Sequence, residues 1–387
     1  MLKRLLSQKQ NITPNTHRWA ISVFFFISGF SFASWASRIP DLKQRLQLND
    51  AELGSLLFAI PVGLMVTMPF AAYLLMRFSS RNVMLAAALL YAIVLCTLGF
   101  VTNAWQAATI LFLFGAARNL LNISINTQSV SVQALFQKSV ITSFHGVWSI
   151  AAFCGAAFAS LLISSSISPA LHFILVGFIV MVLVSIAFKN TMPRDAVTDT
   201  KKHAFVLPNK QLFTLGLIAF CSMVCEGTMS DWSGIYFIKE IKVQKSFSTV
   251  GYVAYLSAVA LGRFLGDVLV NKLGSKRLLQ FSGCCITLGI SMAIFFPNII
   301  TASIGFLITG FGVSCIMPLV YSNTAKITTM PTGPAIASVA TVGYMGFLCG
   351  PPLVGFIAHT YSIQISFALA ACFGIIIVLL VSKTRFQ

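Results

Sequence analysis

The feature that most constrains this chain is a succession of apolar runs, each about 20 residues long, which is the length of helix that crosses the hydrocarbon core of a bilayer. The strands of a membrane β-barrel would instead alternate apolar and polar residues over about ten positions, and this sequence has no such alternation. We therefore predict an all-α membrane protein with twelve transmembrane spans: 19–37, 53–76, 82–101, 104–132, 140–164, 169–188, 212–236, 248–270, 276–296, 299–324, 335–358 and 363–382.

The composition excludes the soluble classes of protein. Only 9% of the residues are charged, whereas an average soluble domain needs about 25%. A disordered chain is excluded as well, because 57% of the residues are hydrophobic. The sequence has no Walker loop, no His-Glu-x-x-His motif and no catalytic constellation. We therefore expect a protein that is not an enzyme, with no cofactor and no metal site.

The lysines and arginines are distributed unequally between the two sides of the predicted bundle. Eighteen of the 26 fall in the tails and the even-numbered connections, six fall in the odd-numbered connections, and Arg118 and Arg263 lie inside spans. By the positive-inside rule, both termini are predicted to be cytoplasmic. The net charge of +17 is therefore a signal of topology, and we expect no nucleic-acid partner.

A long polar stretch divides the twelve spans into two groups of six. The two groups repeat one another weakly: Cys154-Gly155 matches Cys349-Gly350 at an offset of 195, and Asn126-Thr127 matches Asn323-Thr324 at 197. Two pseudo-symmetric six-helix halves are the architecture of transporters that rock about a site at the membrane midplane. The predicted organisation is an N-terminal half over 1–188, a cytoplasmic linker over 189–211 and a C-terminal half over 212–387.

Short basic segments follow the second and eighth spans, at 77–81 (Arg-Phe-Ser-Ser-Arg) and 272–276 (Lys-Leu-Gly-Ser-Lys). Together with the twelve spans and the charged middle loop, they resemble the major facilitator superfamily over the whole chain. The stretches 35–43 and 226–233 resemble the little-characterised YbjJ-like subgroup of bacterial inner-membrane proteins. The resemblance implies a monomeric secondary transporter in the bacterial inner membrane, a small-molecule substrate, and gating roles for basic residues of these segments: Arg38, Arg77 and Arg81.

Charged side chains inside a bilayer are costly, so an ionisable residue within a span is a functional candidate. Five residues qualify: Arg118, Glu226, Asp231, Arg263 and Asp267. Glu226 lies about 21 Å from the start of its span, past the midplane. We predict that it couples transport to protons or binds a substrate cation or hydroxyl; the alternative is a structural tie to a neighbouring helix.

The fourth span carries a polar stripe. Arg118, Asn122 and Asn126 are spaced four residues apart, with Asn119 beside them, so they share approximately one helix face. Because lipid would leave these polar groups unpaired, we predict that the stripe lines a central cavity or makes interhelical hydrogen bonds. Arg118 could then receive a substrate carboxylate or phosphate, or pair with Glu226, from which we expect it to differ by about 10 Å in depth.

Three charged residues are candidates for gating. Asp231 lies five residues beyond Glu226 and points to another side of the helix, nearer the outer surface, so we predict an outer gate or a helix-end contact. Arg263 and Asp267 lie four residues apart near the cytoplasmic end of the eighth span. We expect them to form a cytoplasmic latch in which at least one of the two bridges to another helix.

Two further features complete the candidate set. His145, near the start of the fifth span, is either a proton relay or a hydrogen-bonded structural histidine. Gly350 and Pro351 lie in the eleventh span, which is rich in glycine and proline, and we predict a bending gate there.

These observations predict a secondary active transporter that moves a small polar or amphipathic organic solute by alternating access, with proton coupling through Glu226 as a hypothesis. Its predicted partners are the solute, the lipid bilayer and protons. One alternative is an efflux pump for hydrophobic compounds. The other is a non-transporting sensor or assembly factor, which is disfavoured because the loops and tails are short.

Overall fold

The computed structural model describes residues 13–138, 140–193, 210–327 and 332–384. Within these ranges the chain is helical and contains no strand. Eleven helical segments of the described residues are long and apolar enough to cross a membrane. The helices are α1 (Pro14–Ala36), α2 (Ile39–Arg45), α3 (Asp50–Leu57), α4 (Ala59–Arg77), α5 (Ser80–Leu98), α6 (Ala104–Gln133), α7 (Ile141–Ser164), α8 (Pro169–Ala187), α9 (Lys210–Lys239), α10 (Val250–Phe295), α11 (Ile299–Ser314), α12 (Ile316–Ile327), α13 (Thr332–Thr360) and α14 (Ile363–Lys383).

The helix α10 contains two of the predicted spans. An unbroken helix of its 46 residues would be about 69 Å long, more than twice the hydrocarbon thickness. The break is at Gly274, whose φ of 76° and ψ of 158° are not helical. Glycine adopts positive φ without the steric penalty of a Cβ. The segments 250–273 and 275–295 are therefore the eighth and ninth spans, and the chain makes twelve crossings.

Two other spans are each built from consecutive helices. The second span consists of α3 and α4, which meet at Phe58, and the tenth consists of α11 and α12, which meet at Cys315. The helix α13 runs without a break through Pro351 and Pro352.

The first and last helices of the described chain place His17 and Ser382 at one end of the bundle. At this end the His17 ring, in α1, hydrogen-bonds the Asn190 carbonyl just after α8 (2.7 Å), and Lys276 donates to the Ser382 carbonyl of α14 (3.1 Å). We call this the terminal end and the opposite end the distal end. The cytoplasmic location of the terminal end stays a prediction, and residues 194–209 of the predicted linker lie outside the described residues.

The distal end is where the even-numbered spans begin, and a side-chain cap satisfies a first backbone N–H group in five of the six, the exception being α10. Asn49 caps α3 in a capping box with Glu52, and Asn103 and Asn298 cap α6 and α11. Such caps stabilise a helix by about 1 kcal/mol each. The chain reversals at this end are therefore fixed locally, which holds the charged residues beside them in place.

Candidate substrate pathway and gates

The two halves are joined at the distal end by ion pairs. The Lys239 ammonium lies 2.5 Å from Asp50 Oδ2, while Lys43 binds Oδ1 of the same carboxylate. Lys245 lies 2.6 Å from Asp41 Oδ1. Both acids belong to the first half and both Lys239 and Lys245 to the second. We call these two cross-half pairs the distal seal.

Backbone contact reinforces the distal seal. A Cβ added to Gly54 in α3 would lie 2.6 Å from the Pro351 carbonyl oxygen and 2.9 Å from the Gly355 Cα in α13. Pro351, predicted to bend a gate, thus lies where the halves meet. A Cβ on Gly350 would meet only Val224, of its own half, at 4.0 Å. The halves approach so closely here that only glycine fits at Gly54.

Arg38 supports the distal seal from inside the first half. It is only 2% exposed, and its Nε donates to His172 Nδ1 at 3.0 Å. Its other nitrogens donate to Asp41 Oδ2 (3.4 Å) and to the Ile167 carbonyl (2.9 Å). Sequence reasoning placed Arg38 among the gating residues but missed both His172 and Asp41. Arg38 itself makes no cross-half hydrogen bond or ion pair among the described residues.

A cavity of about 910 Å³ lies toward the terminal end, between α7 of the first half and α10 and α12 of the second. His145, Arg263 and Asp267 all line it. Arg263 crosses to the other half, where it donates to Ser149 Oγ at 2.6 Å and lies 5.5 Å from the Trp148 ring. Asp267 is exposed and makes no ion pair among the described residues. Of the two residues predicted to form a latch, only Arg263 makes a hydrogen bond between the halves among the described residues, and it is the donor.

Arg118 lies in the middle of the bundle, between the halves. Its guanidinium carbon is 3.8 Å from the ring centroid of Phe32 in α1 and 5.9 Å from that of Phe347 in α13. The side chain is half-buried, and it makes no ion pair or hydrogen bond among the described residues. Its two aromatic neighbours come from opposite halves, so Arg118 faces the space that alternating access would open.

Arg118 and Glu226 lie at nearly the same depth. At 1.5 Å per residue, Arg118 is about 21 Å from the distal end of α6 and Glu226 about 20 Å from the distal end of α9. By this count the two residues are closer in depth than the expected 10 Å or so, because α9 continues to Lys239 at the distal end. Both charges act on the Tyr344 hydroxyl, which lies within electrostatic range of each.

Glu226 lies within electrostatic range of several tyrosines and has no ion-pair partner among the described residues. Its charge reaches Tyr255 and Tyr321 as well as Tyr344. The Tyr255 hydroxyl is buried and has no hydrogen-bond partner among the described residues. Glu226 itself is half-buried and forms none of the ion pairs of the described chain.

Asp231 lies apart from the distal seal. It is buried, makes no ion pair among the residues described, and lies within electrostatic range of Arg118. The outer gate or helix-end contact that the sequence predicts for Asp231 stays a prediction. The ion pairs of the distal seal use Asp41 and Asp50.

The polar stripe of α6 divides into two parts. Asn122 is exposed on the helix face that carries Arg118, and Asn126 donates to its side-chain oxygen at 3.1 Å. Asn119 is buried and donates to Thr67 Oγ1 of α4 at 3.3 Å. Asn119 therefore joins two helices of the first half, while Asn122 and Asn126 lie on the helix face that carries Arg118.

The basic residues after the second span contact only their own half among the described residues. Arg77 donates to the Tyr73 hydroxyl of the same helix (2.8 Å). Arg81 donates to the Phe188 carbonyl (3.2 Å) and covers the ring of that residue.

His145 is exposed to the cavity, with its ring 5.3 Å from Phe25.

Comparison with known proteins identifies the family. Two overlapping matches to the Major Facilitator Superfamily cover residues 20–331 and 246–386. The chain belongs to the Major Facilitator Superfamily. This membership and the helical architecture confirm the predicted fold class. They also confirm that the protein is a multi-pass membrane transporter rather than an enzyme. Assignment to the YbjJ-like subgroup stays a prediction.

Relatives extend over nearly the whole chain. An uncharacterised MFS-type transporter of Yersinia pestis is 33% identical over 347 residues, 90% of each chain. The cis,cis-muconate transport protein of Acinetobacter baylyi is 23% identical over 99% of each chain. Among solved structures, a bacterial homologue of the human lysosomal transporter Spinster, inward-facing and occupied, aligns with a TM-score of 0.77 at 13% identity, covering 95% of this chain and 96% of that one. The last similarity supports the fold alone.

Proposed function

We propose that this superfamily member is a secondary active transporter that moves a small polar or amphipathic organic solute across the bacterial inner membrane by alternating access, with the terminal end in the cytoplasm. The observation that carries the proposal is the asymmetry of the two ends. Ion pairs and backbone contacts between the halves close the distal end, while a cavity of about 910 Å³ lies toward the terminal end. Alternating access requires such a state, closed on one side of a central site.

The central residues support a polar solute. Arg118 and Glu226 carry opposite charges at nearly equal depth, about 20 Å from the distal end. Neither has an ion-pair partner among the described residues. A solute between the halves can therefore contact a cationic donor on one side and an acceptor on the other. The relative named for cis,cis-muconate supports including carboxylic acids among the candidates.

Proton coupling belongs to the same proposal. An acid inside a membrane exchanges protons when its surroundings change. Glu226 lies within electrostatic range of these tyrosines and pairs with no cation of the described chain, so a change of conformation or the arrival of a solute can change its protonation. Proton movement would then accompany solute movement through the central site.

Efflux of hydrophobic compounds is the second candidate function. The rings of Phe32 and Phe347 beside Arg118 provide apolar surface for such compounds. The two functions differ in the compounds that bind, so one experiment separates them.

The experiment is a ligand screen followed by a transport assay. The melting temperature of the detergent-purified protein is measured with glucose, mannitol, benzoate and succinate, and separately with tetraphenylphosphonium and ethidium. A ligand at 100 times its Kd stabilises the folded state by about 2.7 kcal/mol. Any stabilising compound is then offered, radiolabelled, to proteoliposomes. Uptake of a polar compound supports the proposal, a response to the lipophilic cations alone supports efflux, and binding without exchange across the membrane contradicts transport.

A further inference from the structure

Arg118 differs from the buried Arg38 in how its hydrogen-bond donors are used. Each of the three nitrogens of Arg38 donates a hydrogen bond, to a histidine, a carboxylate and a carbonyl. Arg118 donates to none of the described residues, and both of its close neighbours are aromatic rings. A guanidinium carries five N–H donors in its plane. Stacking on a ring occupies its face and leaves those donors unused.

A planar fork of N–H donors matches one class of partner. Carboxylate and phosphate oxygens accept two parallel hydrogen bonds from a guanidinium, and such charge-assisted pairs are among the strongest hydrogen bonds in proteins. The ring of Phe32, 3.8 Å from the guanidinium carbon, excludes water from one face. The apolar surface beside the donors suits a ligand with both an oxyanion and an organic body.

The acids near Arg118 select among the oxyanions. Asp231 lies within electrostatic range of Arg118, and Glu226 acts on the same tyrosine as Arg118 does. Any negative charge on these acids opposes a doubly charged group more strongly than a singly charged group. The central site therefore favours a carboxylate over a dianionic phosphate ester.

The distal mouth also attracts anions. The connections 38–52 and 239–245 together contain six lysines and arginines against four acids. A local excess of positive charge raises the concentration of anions at an entrance. Positive charge therefore lies both at the distal end and at Arg118 in the centre, so an anion that enters from the distal end meets a cationic group at each point.

From these observations we infer that the transported solute is an organic acid, whose carboxylate binds the guanidinium of Arg118 and whose body packs on Phe32 and Phe347. The inference rests on the proposed function. Glu226, at the same depth, faces the remainder of the solute and carries the accompanying proton. Arg118 is thus the specificity-determining residue of the central site.

The test compares ligands that differ in charge and in the polar group they carry. Detergent-purified protein is titrated with benzoate, benzamide, benzyl alcohol, phenyl phosphate and cis,cis-muconate, and binding is followed by melting temperature and calorimetry. We expect at least one carboxylate to bind, with the neutral compounds and phenyl phosphate at least tenfold weaker. In Arg118→Lys, carboxylate binding should weaken at least tenfold, and in Arg118→Gln it should be lost. Arg277→Gln, which removes an exposed arginine at the terminal end, should bind as the wild type does.

Several outcomes overturn the inference while leaving transport intact. In the first, benzoate and benzamide bind equally well. In the second, the wild type and Arg118→Lys bind carboxylates equally well. In the third, glucose, mannitol or tetraphenylphosphonium binds but no carboxylate does. The melting temperature of each variant without ligand reports its folding separately. If Arg118→Lys does not fold, the comparison of benzoate with benzamide on the wild-type protein decides. Failure of the proposed function gives a different result: a carboxylate binds at Arg118 but is not transported across the membrane of the proteoliposomes.

Discussion

The Lys239 ammonium lies 2.5 Å from the Asp50 carboxylate and joins helices of different halves. The contact between Lys245 and Asp41 repeats this arrangement. In each case the second carboxylate oxygen binds a cation of the first half, Lys43 or Arg38. Neither acid would be left unpaired if the second half moved away. The distal seal can therefore open without stranding a buried charge, which lowers the cost of the conformational change.

Breaking one pair of the distal seal should favour the distal-open state. We expect Lys239→Gln to weaken closure by about 0.2–1 kcal/mol, the usual range for a partly exposed ion pair. In a background without the nine native cysteines, a cysteine at the buried Ile235 should then label up to about fivefold faster from the distal side. Lys242→Gln removes a charge at the same end without breaking an ion pair of the described chain, and should leave labelling unchanged. Equal labelling in the two variants would contradict the gating role.

A side chain at the backbone contact should act as a wedge. In Gly54→Ala the new methyl group would meet the Pro351 carbonyl oxygen at 2.6 Å and the Gly355 Cα at 2.9 Å. Neither backbone group can rotate away, so we expect the distal end to remain open and transport to fall sharply. The matched control is Gly227→Ala, whose methyl group would have no neighbouring atom within 4 Å. Wild-type transport by Gly54→Ala would show that the halves need not meet here.

His172 is predicted to position Arg38. In His172→Leu the Arg38 Nε loses its acceptor while remaining buried, which should lower the free energy of unfolding by about 1–3 kcal/mol. The side-chain oxygen of His172→Asn lies where the imidazole Nδ1 was, so this variant should recover part of the loss. Unfolding curves in a denaturing detergent measure both variants. A leucine variant as stable as the wild type would refute the role.

Glu226→Gln tests proton coupling with a neutral side chain of the same shape. We expect exchange of solute to continue without a proton gradient, while uptake driven by a pH gradient is lost. A pH-sensitive dye inside proteoliposomes should stop reporting proton entry when solute is added. Glu240→Gln, just beyond the distal end of α9, is the matched control. If Glu226→Gln kept both its rate and its pH dependence, coupling through this residue would be wrong.

The sequence predicted the spans well because the bilayer imposes one length on every helix. Each predicted span corresponds to a helix or helix pair of the structure, including the two spans that meet at Gly274. Side-chain partners were harder to predict. Arg263 was expected to bridge to another helix, but nothing in the sequence indicated that Ser149 would be its acceptor.

The distal seal was missed because it depends on which loops meet across the halves. Lys43, Lys239 and Lys245 were recognised only as cations of the side opposite the termini. The internal repeat held a usable signal, since its offset of about 195 residues relates the loop of Asp41 and Asp50 to that of Lys239. His172 was missed because a histidine in an apolar run gives no indication of its partner.

The positions of the lysines in the distal seal make its strength depend on the medium at that face. Lys239 and Lys245 are 44% and 52% exposed, whereas Lys43 is 15% exposed. At an ionic strength of about 0.15 M the Debye length is about 8 Å, and it shortens as salt is added. Added salt therefore screens the cross-half attractions more than the pairing inside the first half. The balance between the two access states should thus shift with the ionic strength at the distal face, toward the distal-open state as salt is added.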